Sequence, residues 1–476
     1  MTDIRDINDF ASKRCDVLGI GISNIPLIKM LVGAGAIVTA RDKKGRDALG
    51  DVASELEALG VRLVLGEDYL ECIDADFVFR SPGIRPDVPQ IVSAFEKGAV
   101  ITSEMALFCS LTMANIIAIT GSDGKTTTTT LTHKFIEAEL KKRNSGRAYV
   151  GGNIGTPLLS EYVNMREEDY AVLELSSFQL MDMCPHPIRA AITNVTPNHL
   201  NWHTGMEEYT KAKKNIFDEN THLVLNADNE ATLKIASECE NKVTLFSSTK
   251  SGFSAVSRGI DNCERAIYLS DGYITLSDGM NEQKLFAASD ILIPGNHNIE
   301  NYMTAIALTW GMVSCEIYED IARTFGGVEH RLELVRVLDG VRYYNSSIDS
   351  SPTRTAAALS AVDGGKVVIC GGYDKGIDFA PLAKSLCDKA RCVILSGATA
   401  DKIRKAIDEC PEYKSSGLEV HYASRFADAV ALARECARED ESVILSPACA
   451  SFDAFKNFEE RGRVFKELVL AFDKKN

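Results

Sequence analysis

Several features that would place this chain of 476 residues in a specialised class are missing from its sequence. Its 13 cysteines include no C-x-x-C pair, which argues against a disulfide framework or a zinc site and favours reduced thiols. No apolar run approaches the roughly 20 residues that cross a bilayer. No basic segment followed by an apolar core stands near the start, as a signal peptide would require. We therefore expect a cytoplasmic protein without membrane contact.

Positive charge is also in deficit. The chain has 52 Lys and Arg against 67 Asp and Glu, and its formal net charge is -15. Because this charge repels the phosphodiester backbone, we do not expect a nucleic-acid partner. The content of 45% hydrophobic and 25% charged residues is ordinary for a globular protein. The length suggests about three domains of roughly 150 residues each.

The most informative segment reads IIAITGSDGKTTTTT and covers residues 116–130. It predicts a buried strand, a glycine turn and a helix that opens near Lys125. Backbone N–H groups of such a turn face phosphates, Lys125 adds positive charge, and the Thr126 hydroxyl can ligate Mg²⁺. The pattern G-x-x-x-x-G-K-[ST] would place glycine where Ile119 stands, so the match is incomplete. Its position between a strand and a helix still favours ATP or GTP binding over a structural turn.

A second glycine turn, Gly19-Ile20-Gly21, follows a predicted strand near the start of the chain. Asp42 comes about 20 positions later at the end of the next strand, as in dinucleotide-binding folds. Asn24 stands where the third glycine of G-x-G-x-x-G belongs. The pattern leaves two interpretations open, a site for a nucleotide diphosphate or a plain strand-to-helix turn. Ser81-Pro82-Gly83 follows a further strand, at the end where open α/β sheets bind ligands.

Apolar strands alternate with helical segments along most of the chain. Weakly alternating residues between 247 and 288 predict short antiparallel strands. The sequence therefore predicts an α/β protein with a Rossmann-like N-terminal domain (1–110), a P-loop ATPase central domain (111–330) and a Rossmann-like C-terminal domain (331–476).

Polar side chains near predicted strand ends are the candidates for chemistry. Glu174 suits Mg²⁺, which prefers hard oxygen ligands, although a solvated glutamate is the alternative. His199 and His203 are four positions apart and could face one ligand, whereas the absence of H-E-x-x-H argues against zinc. A solvated or capping role is the alternative for His203. Lys213 and its neighbours Lys211 and Lys214 follow on a helix, where an exposed basic face is the plain interpretation.

Further candidates come later in the chain. Asn298 and Asn301 flank a predicted helix start, and a His330-Arg331 pair stands near the predicted third domain. Two polar loops, GGYDKG and SPACAS, follow apolar strands. Lysines and hydroxyls at such strand ends suit a small anionic substrate.

Together these segments resemble the Mur ligases of bacterial peptidoglycan synthesis. The motifs, in one order, are ITGSDGKTT, GGNIGTPL, LELSSFQL, HLNWH, PGNHNIEN, His330-Arg331, GGYDKG and SPACASFDAFKNFEERG. The resemblance covers nearly the whole chain, and residues 173–180 and 446–462 look like the D-glutamate-adding members. The Asp-Asn-Pro-Arg motif of the diaminopimelate- or lysine-adding members does not occur.

The resemblance implies an ATP-dependent ligase that joins D-glutamate to UDP-N-acetylmuramoyl-L-alanine through an acyl phosphate. It implies a monomer whose partners are these small molecules. The first domain would bind the UDP substrate through Gly19, Gly21, Ile22, Ser23, Asp42 on the uracil side, Ser81, Pro82 and Gly83. The muramoyl-alanine part would meet Asn153, Ser176, Ser177 and Gln179.

The central domain would bind ATP, and the third domain would bind the amino acid. The ATP residues implied are Gly121, Ser122, Asp123, Gly124, Lys125, Thr126, Thr127, Asn298, Asn301 and Arg331, with His330 nearby. Thr126 and Glu174 would hold one Mg²⁺. His199 would hold a second through a Lys213 carbamate formed with CO₂. The catalytic residues would be Lys125, His199 and Lys213, and D-glutamate would meet Lys375, Ser451 and Phe458.

The chain departs from the family pattern early in the third domain. Related D-glutamate ligases usually carry Asn-Asp-Ser-Lys-Ala-Thr-Asn there, and the lysine grips a substrate carboxylate; here Ile348 replaces it. Losing a charged hydrogen bond costs about 1.5–3 kcal/mol, roughly ten- to a hundredfold in affinity. We expect Arg354 or Ser350 to take over part of this role. Asp123 adds a negative charge to the phosphate loop, and either meets Mg²⁺ or points away.

Other functions stay open at this stage. A related amide ligase with a different amino acid would explain Ile348, and a non-catalytic nucleotide-binding regulator would keep the phosphate loop. Folylpolyglutamate synthase shares the ATPase core, but the SPACAS segment and the N-terminal domain with its glycine turn argue against it. A nicotinamide dehydrogenase would explain the first glycine turn alone.

Overall fold

The computed structural model describes residues 6–474, and within that range the strands form three sheets. The chain divides into two compact units. One holds the chain up to Ala288 together with Ile299–Ile321, and the other holds Ser289–Asn298 and the chain from Ala322 onward. The first two sheets lie in the first unit and the third sheet lies in the second. The domain boundaries predicted near residues 110 and 330 stay a proposal.

The first sheet is parallel and has the order β3-β2-β1-β4-β5. Its strands are β1 Arg14–Leu18, β2 Ile37–Asp42, β3 Arg62–Leu65, β4 Phe77–Arg80 and β5 Val100–Thr102. The helices are α1 Asn24–Gly33, α2 Arg46–Leu49, α3 Asp51–Ala58, α4 Pro89–Glu96 and α5 Glu104–Leu111. The strand order reverses between β1 and β4, where open α/β sheets form ligand crevices.

The second sheet has the order β14-β13-β12-β11-β10-β9-β6-β8-β7. Its strands are β6 Asn115–Thr120, β7 Ala148–Gly152, β8 Tyr170–Glu174, β9 Arg189–Ile192, β10 His222–Asn226, β11 Val243–Ser247, β12 Cys263–Ser270, β13 Tyr273–Ser277 and β14 Glu282–Ala287. The last three are antiparallel, which confirms the prediction for residues 247–288. The helices are α6 Lys125–Arg143, α7 Met206–Lys214, α8 Glu230–Glu238, α9 Phe253–Ser257, α10 Asn296–Thr309 and α11 Cys315–Thr324.

The third sheet has the order β15-β16-β20-β17-β18-β19 and is parallel except for the antiparallel edge strand β15. Its strands are β15 Glu333–Leu338, β16 Val341–Asn345, β17 Lys366–Cys370, β18 Cys392–Leu395, β19 Glu419–Tyr422 and β20 Ser442–Leu445. The helices are α12 Pro352–Ala361, α13 Ala380–Lys389, α14 Ala400–Glu409, α15 Tyr413–Ser416, α16 Phe426–Cys436 and α17 Phe458–Leu470.

The inner strands of each sheet are apolar along their length because helices cover both faces of a parallel sheet. In β6, Ile117, Ala118 and Ile119 are fully buried. Fixed strands of this kind hold the polar loops at their carboxyl ends in place. No helix within residues 6–474 is both long enough and apolar enough to cross a membrane.

Candidate functional site

The loop between β6 and α6 has the shape of a phosphate cradle. Gly121 has φ +153°, and a Cβ there would lie 1.8 Å from Thr193 Oγ1. Gly124 has φ +81°, and a Cβ there would lie 2.4 Å from Asn301 Oδ1. Both positions therefore require glycine. The loop leads into the first turn of α6, whose backbone N–H groups lack intrahelical acceptors and suit an anion.

Residues after β9 hold this loop in shape. The N–H of Ser122 donates to the Asn194 carbonyl at 2.9 Å, and the N–H of Asp123 donates to Asn194 Oδ1 at 2.9 Å. Thr193 Oγ1 donates to the Asp123 carbonyl at 2.6 Å. These hydrogen bonds fix the backbone of Asp123, while its exposed side chain reaches solvent. The Asp123 charge is therefore compatible with the loop because water surrounds it.

Lys125 places a positive charge across the loop. Its ammonium donates to the carbonyls of Gly121 and Ser122, at 2.9 Å each. Thr126 and Thr127 follow it in the first turn of α6 and are half-buried. The predicted lysine, hydroxyls and glycine turn thus meet in one place.

Lys213 is the largest departure from the sequence interpretation. The prediction of an exposed basic face is wrong for it, because α7 buries this side chain to 1% exposure. Its Nζ lies 2.8 Å from the Gly121 carbonyl oxygen and 4.5 Å from the centre of the Tyr209 ring. Burial, and then the Lys125 charge, lower the pKa of Lys213 well below its usual range. The site therefore favours the neutral amine, which is the nucleophilic form.

Glu174 ends β8 and pairs in register with Ile119 of β6, beside the strand that leads into the loop. It is 1% exposed, so a solvated strand-end glutamate is excluded. Oε1 accepts a hydrogen bond from Asn153 Nδ2 at 2.9 Å. Oε2 is buried and has no hydrogen-bond partner within the part of the chain that the structure describes. A buried carboxylate oxygen of this kind is costly unless a cation meets it, so the residues fit Mg²⁺.

The two histidines of the HLNWH motif have different surroundings. His203 is 3% exposed, so the solvated alternative is wrong. Its Nε2 lies 2.9 Å from Ser177 Oγ and its Nδ1 lies 3.1 Å from Glu208 Oε2. Both ring nitrogens are therefore in use, and the idea that His199 and His203 face one ligand is wrong. His203 instead ties the loop that carries His199 to Ser177 and Glu208.

His199 lies in the open part of this loop. It is exposed, has φ +54° and contacts the Phe178 ring edge at 5.0 Å between ring centres. Partial burial, then the charge of Lys125, lower the pKa of His199. The imidazole therefore stays neutral near the two lysines, which is the state that ligates a metal.

The residues predicted for the UDP substrate gather at the ends of β1 and β4. Asn24 Nδ2 donates to the Gly19 carbonyl at 2.8 Å and to Ser81 Oγ at 3.0 Å, so it ties the two loops together. Asp42 Oδ2 accepts the Ile20 N–H at 2.6 Å. Ile22 is 83% exposed beside them. The other predicted residues of these loops are half-buried or exposed, namely Gly21, Ser23, Pro82 and Gly83.

Residues after β8 form a second polar group. Gln179 Oε1 accepts hydrogen bonds from the N–H and the hydroxyl of Ser176, at 2.9 Å each. Asn153 is already engaged with Glu174. Of the predicted muramoyl-alanine contacts, Asn153 follows β7 and bonds to the candidate Mg²⁺ ligand Glu174, whereas Ser176 and Gln179 follow that ligand closely in sequence.

Arg80 is a positioning residue that the sequence interpretation missed. Its side chain is 1% exposed and pairs with Asp182 at 2.7 Å. It also donates to the carbonyls of Ser81 at 3.2 Å and Phe178 at 3.2 Å. It therefore fastens the first-sheet loop to the segment after β8. The arginine that ends the otherwise apolar strand FVFR was the available indication.

The predicted asparagine pair lies inside α10 and does not flank its start, because the helix already begins at Asn296. Asn301 Oδ1 accepts from Thr128 Oγ1 at 3.3 Å and also borders Gly124. Asn298 Nδ2 donates to the Pro294 carbonyl at 2.6 Å. Asn301 is thus part of the loop surroundings within the first unit.

In the second unit, His330 is buried and has φ +64°. Its Nδ1 lies 3.0 Å from Asn345 Nδ2, and its ring meets Phe458 edge-on at 6.0 Å between centres. Burial lowers the pKa of His330. Arg331, next to it, is exposed.

The amino-acid residues predicted in this unit follow β16, β17 and β20. Lys375 is exposed, and its Nζ lies 5.9 Å from the centre of the Phe452 ring. Ser451 is buried and Phe458 half-buried at the start of α17. Arg354 is exposed and donates to the Ile348 carbonyl at 3.2 Å. A guanidinium therefore lies beside Ile348, the position where the family resemblance leads one to expect lysine.

Arg461 is a second residue that the sequence interpretation missed. It is 2% exposed and donates to the carbonyls of Ser347 at 2.9 Å and Cys449 at 3.1 Å. It therefore joins the loops that follow β16 and β20. An arginine within the apolar pattern of α17 was the only indication in the sequence.

Comparisons with known proteins agree on one family. A family model described as the Mur ligase middle domain matches residues 119–309. A second, described as the glutamate ligase domain of Mur ligases, matches residues 330–449.

Curated relatives match the chain over nearly all of its length. A protein of Ruminiclostridium cellulolyticum named UDP-N-acetylmuramoylalanine--D-glutamate ligase is 44% identical, with 97% of each chain covered. A protein of the same name from Clostridium novyi is 45% identical, with 98% of each chain covered. The solved structure of the UDP-N-acetylmuramate-alanine ligase of Thermotoga maritima matches with a TM-score of 0.53 and 19% identity, over 96% of this chain and 99% of that one. At that identity it supports the fold alone.

Proposed function

The chain belongs to the Mur ligase family, and on that premise we propose that it is an ATP-dependent ligase that joins D-glutamate to UDP-N-acetylmuramoyl-L-alanine. Relatives with the corresponding name are about 44% identical over almost the full length. The main structural support for the proposal is that Lys213 is buried and contacts the phosphate loop. A lysine that is merely structural would not need this costly burial.

ATP would bind at the loop between β6 and α6. The glycine turn, Lys125 and the first N–H groups of α6 offer the positive environment that triphosphates require. The residues proposed for ATP are Gly121, Ser122, Asp123, Gly124, Lys125, Thr126, Thr127, Asn298, Asn301 and Arg331.

The family uses ATP with Mg²⁺. Thr126 and Glu174 would hold one ion, and the partnerless Glu174 Oε2 supports this assignment. Lys213 and His199 would hold a second. For this, the neutral Lys213 amine would attack CO₂ and lose a proton, because a carbamate oxygen binds a cation and an ammonium cannot. Bound Mg²⁺ would neutralise the phosphate oxygens during transfer.

The reaction would have two steps. The alanyl carboxylate attacks the γ-phosphorus, the bond to ADP breaks, and an acyl phosphate forms. The amine of D-glutamate then attacks the acyl carbon, loses a proton and expels phosphate. Lys125 would bind phosphate oxygens in the first step and so stabilise the charge that develops there.

The other groups would position the two substrates. The loops after β1 and β4 would hold the UDP part through the residues predicted from the sequence. Asn153, Ser176 and Gln179 would hold the muramoyl-alanine part, and Lys375, Ser451 and Phe458 would hold D-glutamate. We propose that the chain acts as a cytoplasmic monomer.

The test is direct identification of the product by mass spectrometry. With ATP, UDP-N-acetylmuramoyl-L-alanine and D-glutamate, we expect the amide product together with equal amounts of ADP and phosphate. ATP consumption without an amide product would contradict the proposal. Leaving out D-glutamate is the control.

A further inference from the structure

The second unit contains a cluster of soft ligands that the proposed reaction does not use. Cys392, His421 and Cys436 each offer one ligand atom, and these atoms lie within 4.8 Å of one another. The three residues come from β18, β19 and the last residue of α16. Because they are far apart in sequence, the missing C-x-x-C spacing could not reveal them.

The sheet register explains why the three side chains meet. Cys392 pairs with Glu419, and Ile394 pairs with His421, in neighbouring parallel strands. Side chains at every second position share a face of a sheet, so Cys392, Glu419 and His421 point to the same side. Cys392 packs there in a core that includes helix α16, which ends at Cys436. The sulfur atoms of Cys436 and Cys392 lie within 4.8 Å of each other.

The surroundings suit a divalent cation. Glu419 Oε2 lies 3.8 Å from His421 Nε2, so a carboxylate is at hand as a fourth ligand or as a partner of the imidazole. Glu419 also pairs with Arg391 at 3.2 Å and with Arg438 at 3.7 Å, so it would exchange one of these pairs for the ion if it served as a ligand. Cys436 is half-buried and the His421 side chain is 41% exposed, which leaves a path for a metal ion.

Two other clusters of three ligand residues occur among the described residues, and both are satisfied internally. In the first, Asp218 accepts hydrogen bonds from His186 at 2.7 Å and from Thr221 at 3.0 Å. In the second, Lys466 pairs with Glu329 and Glu333. The thiol cluster alone combines two sulfur ligands with a nitrogen.

We propose that Cys392, Cys436 and His421 bind one Zn²⁺ ion, with Glu419 or a water molecule in the fourth position. Two thiolates and an imidazole are the ligands that Zn²⁺ prefers in tetrahedral sites. Each thiol would give up its proton to solvent when the metal binds. The ion would join β18, β19 and the end of α16.

The experiment uses the full chain, stripped with a chelator, kept reduced and held in excess Mg²⁺ to fill oxygen sites. Titration with Co²⁺ reports thiolate ligation through its charge-transfer absorption, and Zn²⁺ then competes. We expect one Co²⁺ per chain, displaced by Zn²⁺. His421→Ala should weaken binding by about 100-fold or more, because it removes a direct ligand.

Cys410→Ser is the matched control, since Cys410 also neighbours a thiol, that of Cys387, in the same unit. It should bind Co²⁺ like the unchanged chain. Cys436→Ser should show a much weaker charge-transfer band, because one of two thiolates is removed, while its metal-free thermal midpoint stays the same. A charge-transfer band that is as strong in both His421→Ala and Cys436→Ser as in the unchanged chain would overturn the proposal. So would the absence of Co²⁺ uptake by the reduced unchanged chain. A Cys392–Cys436 disulfide that forms without any metal uptake would overturn it too.

Discussion

Lys213 Nζ lies 2.8 Å from the carbonyl oxygen of Gly121, the first residue of the phosphate loop. This contact joins α7 to the loop, and it holds an amine with a lowered pKa beside the place where phosphates would bind. Helix α7 also supplies Tyr209, whose hydroxyl lies 3.0 Å from Ser122 Oγ. Helix α7 therefore packs its buried lysine and Tyr209 directly against the loop.

Replacing Lys213 tests whether the buried amine takes part in the reaction. We expect Lys213→Ala to lower kcat by about 100-fold or more, because it removes the proposed carbamate ligand of a Mg²⁺ ion at the reacting phosphate. A short-chain carboxylic acid should restore part of the activity by supplying the missing oxygen. Lys211→Ala is the matched control, since Lys211 is exposed on the same helix. Equal activity of both variants would make Lys213 a structural residue.

Glu174→Gln tests the metal assignment at the end of β8. The amide keeps the size of the side chain and removes the charge on the partnerless Oε2. We expect kcat to fall by about 100-fold and the Mg²⁺ concentration for half-maximal rate to rise. Glu168→Gln, on the same stretch of chain but partly exposed, should behave like the unchanged protein. If Glu174→Gln leaves the Mg²⁺ dependence unchanged, Glu174 is not a ligand.

Glu104 gives the fold a pH dependence that is separate from the site. Burial raises the pKa of Glu104 from 4.5 to about 7. Its Oε1 is buried and meets no hydrogen-bond partner among residues 6–474. The folded chain thus keeps a proton that the unfolded chain releases, so the free energy of unfolding falls as pH rises from about 4.5 to about 7.

Glu104→Gln should remove this loss. The difference in the free energy of unfolding between Glu104→Gln and the unchanged chain should shift in favour of the variant by roughly 2 kcal/mol from about pH 5 to about pH 8. Denaturant unfolding at both pH values measures it, with the exposed Glu96→Gln as the control. A gain that is the same at both pH values would show that Glu104 does not titrate in this window.

Arg354 tests how the amino-acid carboxylate is held without the usual lysine. Arg354→Ala should raise the KM for D-glutamate by roughly ten- to a hundredfold, the value of one charged hydrogen bond, with a smaller change in kcat. Arg425→Ala, an exposed arginine of the same unit, is the control. Adding Ile348→Lys to Arg354→Ala should lower the KM again. An unchanged KM in Arg354→Ala would exclude the arginine.

The strands that sequence predicted best are those with continuous apolar runs between polar turns. The apolar runs at 62–65, 341–345, 392–395 and 442–445 predict strands with the same bounds that β3, β16, β18 and β20 have in the structure. Strand β15 was missed because an edge strand is half-exposed and mixes charged with apolar residues. The asparagines of α10 were placed at its start because the capping pattern does not fix the first helical residue.

The site was predictable where a local motif carries the chemistry and less so where tertiary burial decides. The glycine turn and Lys125 follow from one segment, and Glu174 ends the strand that pairs with the strand leading into that segment. The burial of Lys213 and His203 depends on how α7 packs, which charge and spacing do not reveal. Arg80 was missed for the same reason, since its role depends on a partner 102 positions away.

The most direct test of the proposed function is phosphate release from ATP in the presence of UDP-N-acetylmuramoyl-L-alanine and a panel of D- and L-amino acids. We expect release with D-glutamate alone, with the charge of Arg354 compensating for Ile348. Release with a different amino acid would keep the mechanism but contradict the assigned substrate. No release with any amino acid, while ATP still binds, would contradict the ligase and favour a nucleotide-binding regulator.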